Sequence, residues 1–344
     1  MLPEKTDLIL FRSFERNFAK KIIEMPKGGW KMKYLLKKTG TLIITLFVVS
    51  LLAFLAFQLI PGDAATHILG TEATPERLEA LRHELGLDRP MLVQYFDWLK
   101  DFLFGDMGTS YSYSISVKEL IGPKLPITIT LTVMSFLMIV LISIPLGIWQ
   151  GKHAGEITDV AAGVVGQIIM AFPPFFLGII FTLVFGIVFQ LFTQGDFINY
   201  DESLSGFLGY LFFPALAIAL PKIAMTVKLL RSSVVQELQQ DYVRTARSRG
   251  RKFSSVLFTH VLRNALIPVV TFLAMTIAEI VAGSIIIEQV FTIPGIGRLL
   301  LTSIGNRDVP VVQAIVVMMA FLVVFVNFLV DVLYQFIDPR IKVS

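Results

Sequence analysis

VAAGVVGQIIMAFPPFFLGIIFTLVFGIVFQLFTQG, residues 160–195, is a run of 36 residues without a charged side chain. As one straight helix it would reach about 54 Å at 1.5 Å per residue, against a bilayer hydrocarbon core of about 30 Å. Whether it crosses once or twice decides the topology of the whole chain. Around it, Thr41–Ile60, Leu125–Gln150, residues 206–227, Ala265–Ile287 and Val311–Ile337 each supply the roughly 20 apolar residues that a spanning helix needs. Pro126 and Pro145 fall near the two ends of the second stretch, where a missing N–H is easiest to tolerate.

Of 344 residues, 55% are hydrophobic and only 16% charged, with a mean hydropathy of +0.72; soluble domains hold about 25% charged residues. This excludes disorder, and 29 Phe beside such long uncharged runs argue against an ordinary soluble enzyme. The lack of Cys removes disulfide frameworks, thiolate metal sites and thiol catalysis. The formal net charge of +4 acquires meaning only by segment. Residues 1–40 hold ten Lys+Arg and four Asp+Glu, residues 61–124 six against ten, and residues 228–263 eight against two, Glu237 and Asp241. Lys and Arg accumulate in cytoplasmic loops, so the first and third segments read as internal and the acidic one as external.

One crossing over 160–195 satisfies all three assignments; two would place the basic loop outside. The sequence therefore predicts an all-α membrane protein with six transmembrane helices and both termini cytoplasmic. An external helical segment follows the first span, and the third span is long, tilted or bent at Pro173-Pro174. The divisions are a basic N-terminal arm (1–40), the first span (41–60), the external segment (61–124) and a five-span core (125–344) that contains the loop 228–263.

In the arm, Leu8, Phe11, Phe14 or Glu15, Phe18 and Ile22 fall at intervals of three and four with Arg12, Arg16, Lys20 and Lys21 between, the pattern of a basic amphipathic helix lying on membrane lipid. A plain basic tail obeys the same charge bias. The charged residues ahead of the first apolar run are unlike a cleavable signal peptide, so the first span reads as an uncleaved anchor. In the external segment, Thr74-Pro75-Glu76 is a helix-start signature, and Leu78, Leu81 and Leu85 repeat at three and four on an amphipathic helix running toward Phe104. A receptor platform and a structural lid both suit it.

The internal loop is the most informative segment. Leu238, Tyr242, Ala246 and Gly250 repeat every four residues, which predicts one helical stripe, while Arg244, Arg247, Arg249 and Arg251 point elsewhere. Gly250 reads as a helix stop. Val256, Leu257, His260 and Val261 resume helical spacing before Asn264, so the loop is expected to be two short helices joined at a glycine. Small residues at 246 and 250 would admit another backbone closely, with the cations favouring an acidic rim on a partner protein. A basic loop held by anionic lipid is the alternative.

Asp241-Tyr-Val-Arg-Thr-Ala-Arg-Ser-Arg-Gly250, with Leu262-Arg-Asn-Ala-Leu-Ile-Pro268, resembles the coupling loop of membrane permeases in ATP-binding-cassette importers, and most closely the peptide and nickel branch. The wider motif is Glu-Ala-Ala, three residues, then Gly; here Arg244-Thr245-Ala246 occupy the leading positions and Gly250 is kept, while Arg263 stands where many relatives have Pro. Gly86-Leu-Asp-Arg-Pro90, Gln94-Tyr95, Trp98-Leu99, Gly105-Asp-Met-Gly-Thr-Ser110, Pro145-Leu-Gly-Ile-Trp149, Phe291-Thr-Ile-Pro-Gly-Ile-Gly-Arg298, Asn306-Arg-Asp308 and Asp338-Pro-Arg-Ile341 match the branch in order and spacing, from about Lys33 to the end. The resemblance implies the type I (MetI-like) permease fold in the cytoplasmic membrane of a prokaryote. It implies a second permease subunit, two ATPase subunits that carry ATP and Mg, and an external solute-binding protein as partners, with no cofactor on this chain. It also implies that Glu237, Asp241, Tyr242, Arg244, Thr245, Ala246, Arg247 and Gly250 couple to the ATPase.

Four polar groups interrupt the apolar runs. Glu279 lies in the middle of the fifth, where a charge costs at least about 2.5 kcal/mol, so it must face a cavity, find a partner or be protonated. Asn327 and Asp331, one turn apart in the last span, pose the same question, and Lys222 in the fourth span could serve either carboxylate. These four are candidates for the translocation path, with interhelical bonding as the plain alternative. Pro294, Gly295 and Gly297 predict a tight turn after the fifth span. The resemblance makes them, with Arg298, Arg307 and Asp308, candidates for an outer gate or receptor docking.

No Gly-x-x-x-x-Gly-Lys-Ser/Thr phosphate loop occurs, the four His at 67, 83, 153 and 260 lack metal-ligand spacing, and no nucleophile motif surrounds any Ser. Nothing argues for catalysis, and the basic excess is no nucleic-acid signal. The leading function is a permease subunit importing short peptides, or nickel or a metal chelate, by alternating access driven by a separate ATPase. An ion-driven secondary transporter or channel using Glu279, Asp331 and Lys222 is the alternative, although no inverted repeat shows in the hydropathy. A membrane scaffold without a path is a third class.

Overall fold

The computed structural model describes residues 30–58, 69, 74–84, 86 and 88–337. The amphipathic pattern at 8–25, Leu85, the side chain of Asp331 and the motif at 338–341 lie outside the described residues. The described elements are helical. The first span is the apolar part, Leu36–Ala56, of α1 (Trp30–Gln58). The external segment holds α2 (Pro75–Glu84), α3 (Met91–Leu103) and α4 (Val117–Ile121), and α5 (Leu125–Lys152) is the second span. The expected single helix from Thr74 to Phe104 is thus two, because Pro90 opens a second start. Thr74 does begin the first: its Oγ1 accepts from Arg77 N at 3.4 Å.

Over 157–188 the chain forms α6 (Ile157–Ala171) and α7 (Pro174–Phe181), the latter extended by π-helical turns through Val188, and the two arms meet at 98°. The cause is local. Phe172 (ψ 129°) and Pro173 (ψ 149°) each precede a proline, which excludes the helical conformation, and both are extended. The bent pair nevertheless crosses once. At its start Asp159 accepts two 2.6 Å bonds from Arg231, near the end of α8 (Leu204–Leu238). Beyond its far arm Gly195 N donates to the Tyr210 hydroxyl at the start of α8, at 3.2 Å. The two arms therefore begin and finish at opposite ends of one helix, which gives six crossings in all.

The fourth span, α8, runs 35 residues, well past the expected limit near Val227. After α9 (Asp241–Ser248), the short α10 (Phe253–Val256) leads through π-helical turns at Leu257–Val261 into α11 (Leu262–Val290). The second half of the loop is thus the base of the fifth span rather than a separate helix. Then come α12 (Ile296–Gly305) and the last span, α13 (Val309–Ile337). The turn expected at Pro294–Gly297 opens this extra helix instead of returning directly to the membrane.

Half of the apolar stretch of α8 is buried, against 17% for α1, so α8 is the central helix and α1 a peripheral one. Its closest neighbour is α5. A Cβ on Gly147 would lie 2.8 Å from Leu230 Cβ, and one on Gly151 2.7 Å from Val234 Cβ. This is a small-xxx-small contact, which draws two backbones together where no hydrophobic effect separates helix from lipid. Apolar side chains of α5, α7, α8 and α11 form the main core, and α4, α12 and α13 a smaller one around Val117, Ile296 and Val311. Ile43, Ile44 and Leu52 on α1 and Leu141 on α5 are exposed, the expected state of side chains against acyl chains.

Gly151→Leu should therefore overpack the α5–α8 contact and lower stability by about 1–3 kcal/mol. Gly163→Ala, where an added Cβ meets nothing within 4 Å, should be silent. Thermal unfolding of the detergent-solubilised protein checks both; equal midpoints would show that the close approach does not matter.

Candidate functional site

The loop residues fold into a short helix braced against two spans. Gln239 and Gln240 break the helix after Leu238, so Leu238 and Tyr242 are not on one stripe as the spacing predicts. Within α9, Val243 is buried and Ala246 packs on the core, so Ala246 turns inward while Gly250 stays exposed. The free face is Asp241, Arg244, Thr245 and Ser248, spaced three, one and three, all exposed. Arg247 bends away to lie over the Phe253 ring, 5.4 Å from its centroid. Gly250 has φ +77°, the left-handed region, and ends the helix as expected.

Three segments meet at Tyr242. Its hydroxyl donates a short bond to Glu237 Oε2 at the foot of α8, and Asn264 Nδ2, on the first turn of α11, donates to Tyr242 Oη at 3.3 Å and to Glu237 Oε2 at 3.4 Å. The two halves of the loop motif, far apart in sequence, are thereby one cluster. Burial and the neighbouring Glu237 carboxylate push the Tyr242 hydroxyl up to about 12.

At the opposite, acidic end, Glu288 is completely buried, a residue the sequence reading passed over. Its Oε1 accepts from Thr128 Oγ1 of α5 at 2.6 Å and its Oε2 from Arg298 N at 3.1 Å, while Thr128 Oγ1 accepts from Ile296 N at 3.0 Å. The carboxylate thus caps the N-terminus of α12, where unpaired N–H groups favour negative charge. It also explains Gly295, on which a Cβ would lie 2.4 Å from the Glu288 carboxyl carbon; Gly297 is required by the α11 backbone instead, since its Cβ would lie 2.4 Å from Ile285 Cα. Pro294 is half-buried beside them, and the Arg298 guanidinium donates to Thr292 O at 3.1 Å. A second Glu in an apolar run, shortly before Pro-Gly, was the available signal.

Asp308 is also completely buried, so it presents no carboxylate to a docking partner; it holds the external segment instead. Ser110 Oγ donates to it at 2.5 Å, Tyr111 N at 3.0 Å and Ser112 N at 3.2 Å. Burial and that carboxylate raise the Tyr111 hydroxyl above its ordinary range. Arg307 is exposed beside it. An open cleft of about 440 Å³ lies between Trp98, Gly108, Tyr111, Pro310 and Gln313. On α3, Tyr95 is buried against Phe47 and Phe54 of α1, with its hydroxyl 2.8 Å from Ser50 Oγ, so the external segment is fastened to the first and last spans.

In mid-bundle Lys222 of α8 forms an ion pair with Glu279 of α11, one of the two pairings that the sequence left open. Asn327 is exposed on α13.

Residues 143–343 match the family described as binding-protein-dependent transport system inner membrane component, and residues 31–132 match its N-terminal counterpart. The chain belongs to this family. It is 38% identical over 312 residues to a protein of Brucella abortus named for a peptide transport system permease, covering 90% of this chain and 98% of that one. It is 35% identical over 312 residues to the oligopeptide transport system permease of Bacillus subtilis, covering 90% and 99%. The dipeptide transport system permease of Escherichia coli K12 is 32% identical over 335 residues, with 90% and 99% covered. The protein is thus a multi-pass permease subunit of an ABC importer in the inner membrane, not itself an enzyme, with ATP hydrolysis on a separate subunit and a binding protein in the same system.

In this permease the matched core includes the braced α9 and the Glu288 corner, and the matched N-terminal part includes α3 and its anchorage on α1. Glu288→Ala should strand Thr128 and the α12 N–H groups in a buried corner and cost about 3 kcal/mol, with Glu288→Gln costing less. Unfolding midpoints of the two variants decide this, and equal midpoints would remove the charge from the account. The Tyr242 cluster has its own signature. A free tyrosine loses its proton near pH 10, whereas Tyr242 keeps it to about 12, so the stabilisation is complete below pH 10 and is lost as pH rises through 12. The difference in tyrosinate absorbance between the permease and Tyr242→Phe should titrate near pH 12; a midpoint near 10 would mean that the cluster does not form.

Proposed function

We propose that this chain forms half of the translocation path of an ATP-driven importer of short peptides, with a second permease subunit as the other half and two ATPase subunits below. The basic end of the bundle is cytoplasmic in this reading, and the acidic end faces the binding protein. The observation that carries it is the bracing of α9. Its free face, Asp241, Arg244, Thr245 and Ser248, is available to a partner, while Tyr242, Glu237 and Asn264 tie its base to α8 and α11 together. A displacement of α9 by ATPase closure would move both spans as one body and switch the facing of the path. The relatives' names speak for peptides as cargo. The ion-driven alternative loses ground, since Lys222 satisfies Glu279 directly and neither group needs a coupling ion.

Arg244→Glu combined with Thr245→Trp, both on the exposed face and clear of the Tyr242 cluster, should lower ATPase co-purification by about tenfold while leaving membrane insertion intact. Undiminished ATPase binding, or full uptake by a permease lacking any ATPase, would overturn the coupling role.

A further inference from the structure

Lys222 and Glu279 sit near the middle of α8 and α11, yet the pair is not sealed inside the chain: the Glu279 side chain is 54% exposed and that of Lys222 19%. Glu279 belongs to a stripe of α11 along which Thr271, Met275, Glu279, Ala282 and Ile286 are all exposed, at intervals of three and four. A half-exposed Lys–Glu pair at that depth cannot rest against acyl chains at small cost. The exposed stripe of α1, with Ile43, Ile44, Phe47 and Leu52, carries no charge and suits lipid. The two faces are therefore chemically distinct, and the α11 stripe is the one that meets water or protein. Asp159, Arg231 and Glu288 are satisfied within the chain at the two ends of the bundle, so they do not set the charge of this face at mid-depth.

On the reading of this chain as half of a peptide path, we infer that the Lys222–Glu279 pair is a charge-cancelling element of the path wall, which lets peptides pass regardless of the charge on their side chains. Either group alone would fix the sign of the field in a narrow, poorly screened passage. Glu279 alone would hold cationic peptides and repel anionic ones, and Lys222 alone the reverse. Together they present the zwitterionic backbone common to all short peptides with a wall of zero net charge. The pair would therefore contribute tolerance, leaving selection to the binding protein.

The test uses the complete transporter in proteoliposomes, with its binding protein saturated in turn by Lys-Ala, Ala-Ala and Asp-Ala. Native rates should be similar for the three. Glu279→Gln should favour the anionic over the cationic dipeptide by about tenfold, Lys222→Met should favour the cationic one similarly, and the double variant should return to native ratios. Ala282→Glu, on the same stripe with the pair intact, should also favour the cationic dipeptide, and it supplies the decision if a single variant fails to assemble. Native import of all three with ratios unmoved in the assembled variants overturns the inference and spares the peptide reading. Failure of the native complex to import any of the three overturns the peptide reading, and the inference with it.

Discussion

Everything else in this permease hangs on how closely α5 and α8 approach. Between two helices in lipid there is no hydrophobic effect to recruit, so the contact must come from shape, and Gly147 and Gly151 supply it by letting Leu230 and Val234 sit directly on the α5 backbone. With α8 fixed as the central helix, its two ends become reference points. Arg231 at one end takes Asp159 from α6, and Tyr210 at the other takes Gly195 beyond α7. The bent third span is thereby stretched across the bundle even though neither of its arms is long enough to span alone.

The polar groups follow a consistent division of labour. At the basic end Glu237, Tyr242 and Asn264 join a short amphipathic helix to two spans. At the acidic end Glu288 and Asp308, both completely buried, join α12 and the external segment to the spans. In lipid or in a buried corner an unpaired carboxylate is expensive, so each is surrounded by donors, and each such cluster rigidifies the elements that meet there. The Lys222–Glu279 pair lies at mid-depth, with the Glu279 side chain 54% exposed. The same pairing chemistry that joins elements at the ends thus joins α8 and α11 at mid-depth.

Much of this was legible in the residues, and the misreadings are instructive. The break at Pro173-Pro174 and the stop at Gly250 were readable because proline and glycine act on their own backbone. The stripe Leu238–Tyr242–Ala246–Gly250 was not a stripe, because periodicity cannot show that Gln239 and Gln240 interrupt the helix. Ala246 therefore turned inward, and the free face of α9 fell to Asp241, Arg244, Thr245 and Ser248. Asp308 was a docking candidate through the resemblance alone; its burial depends on Ser110, Tyr111 and Ser112, nearly two hundred residues away in the chain.

The sequence by itself determined the solvent, the apolar spans, the partition of charge among the segments and the place of the loop, since these depend on composition and on local backbone chemistry summed along the chain. Tertiary structure alone decided that Glu288 and Asp308 are buried struts while Glu279 is exposed, that Lys222 belongs to Glu279, and that the Glu288 carboxyl is the reason for Gly295 and the Ile285 backbone the reason for Gly297. Those facts depend on which distant segments are brought together, and hydropathy records only that a polar group must find a partner, not which one.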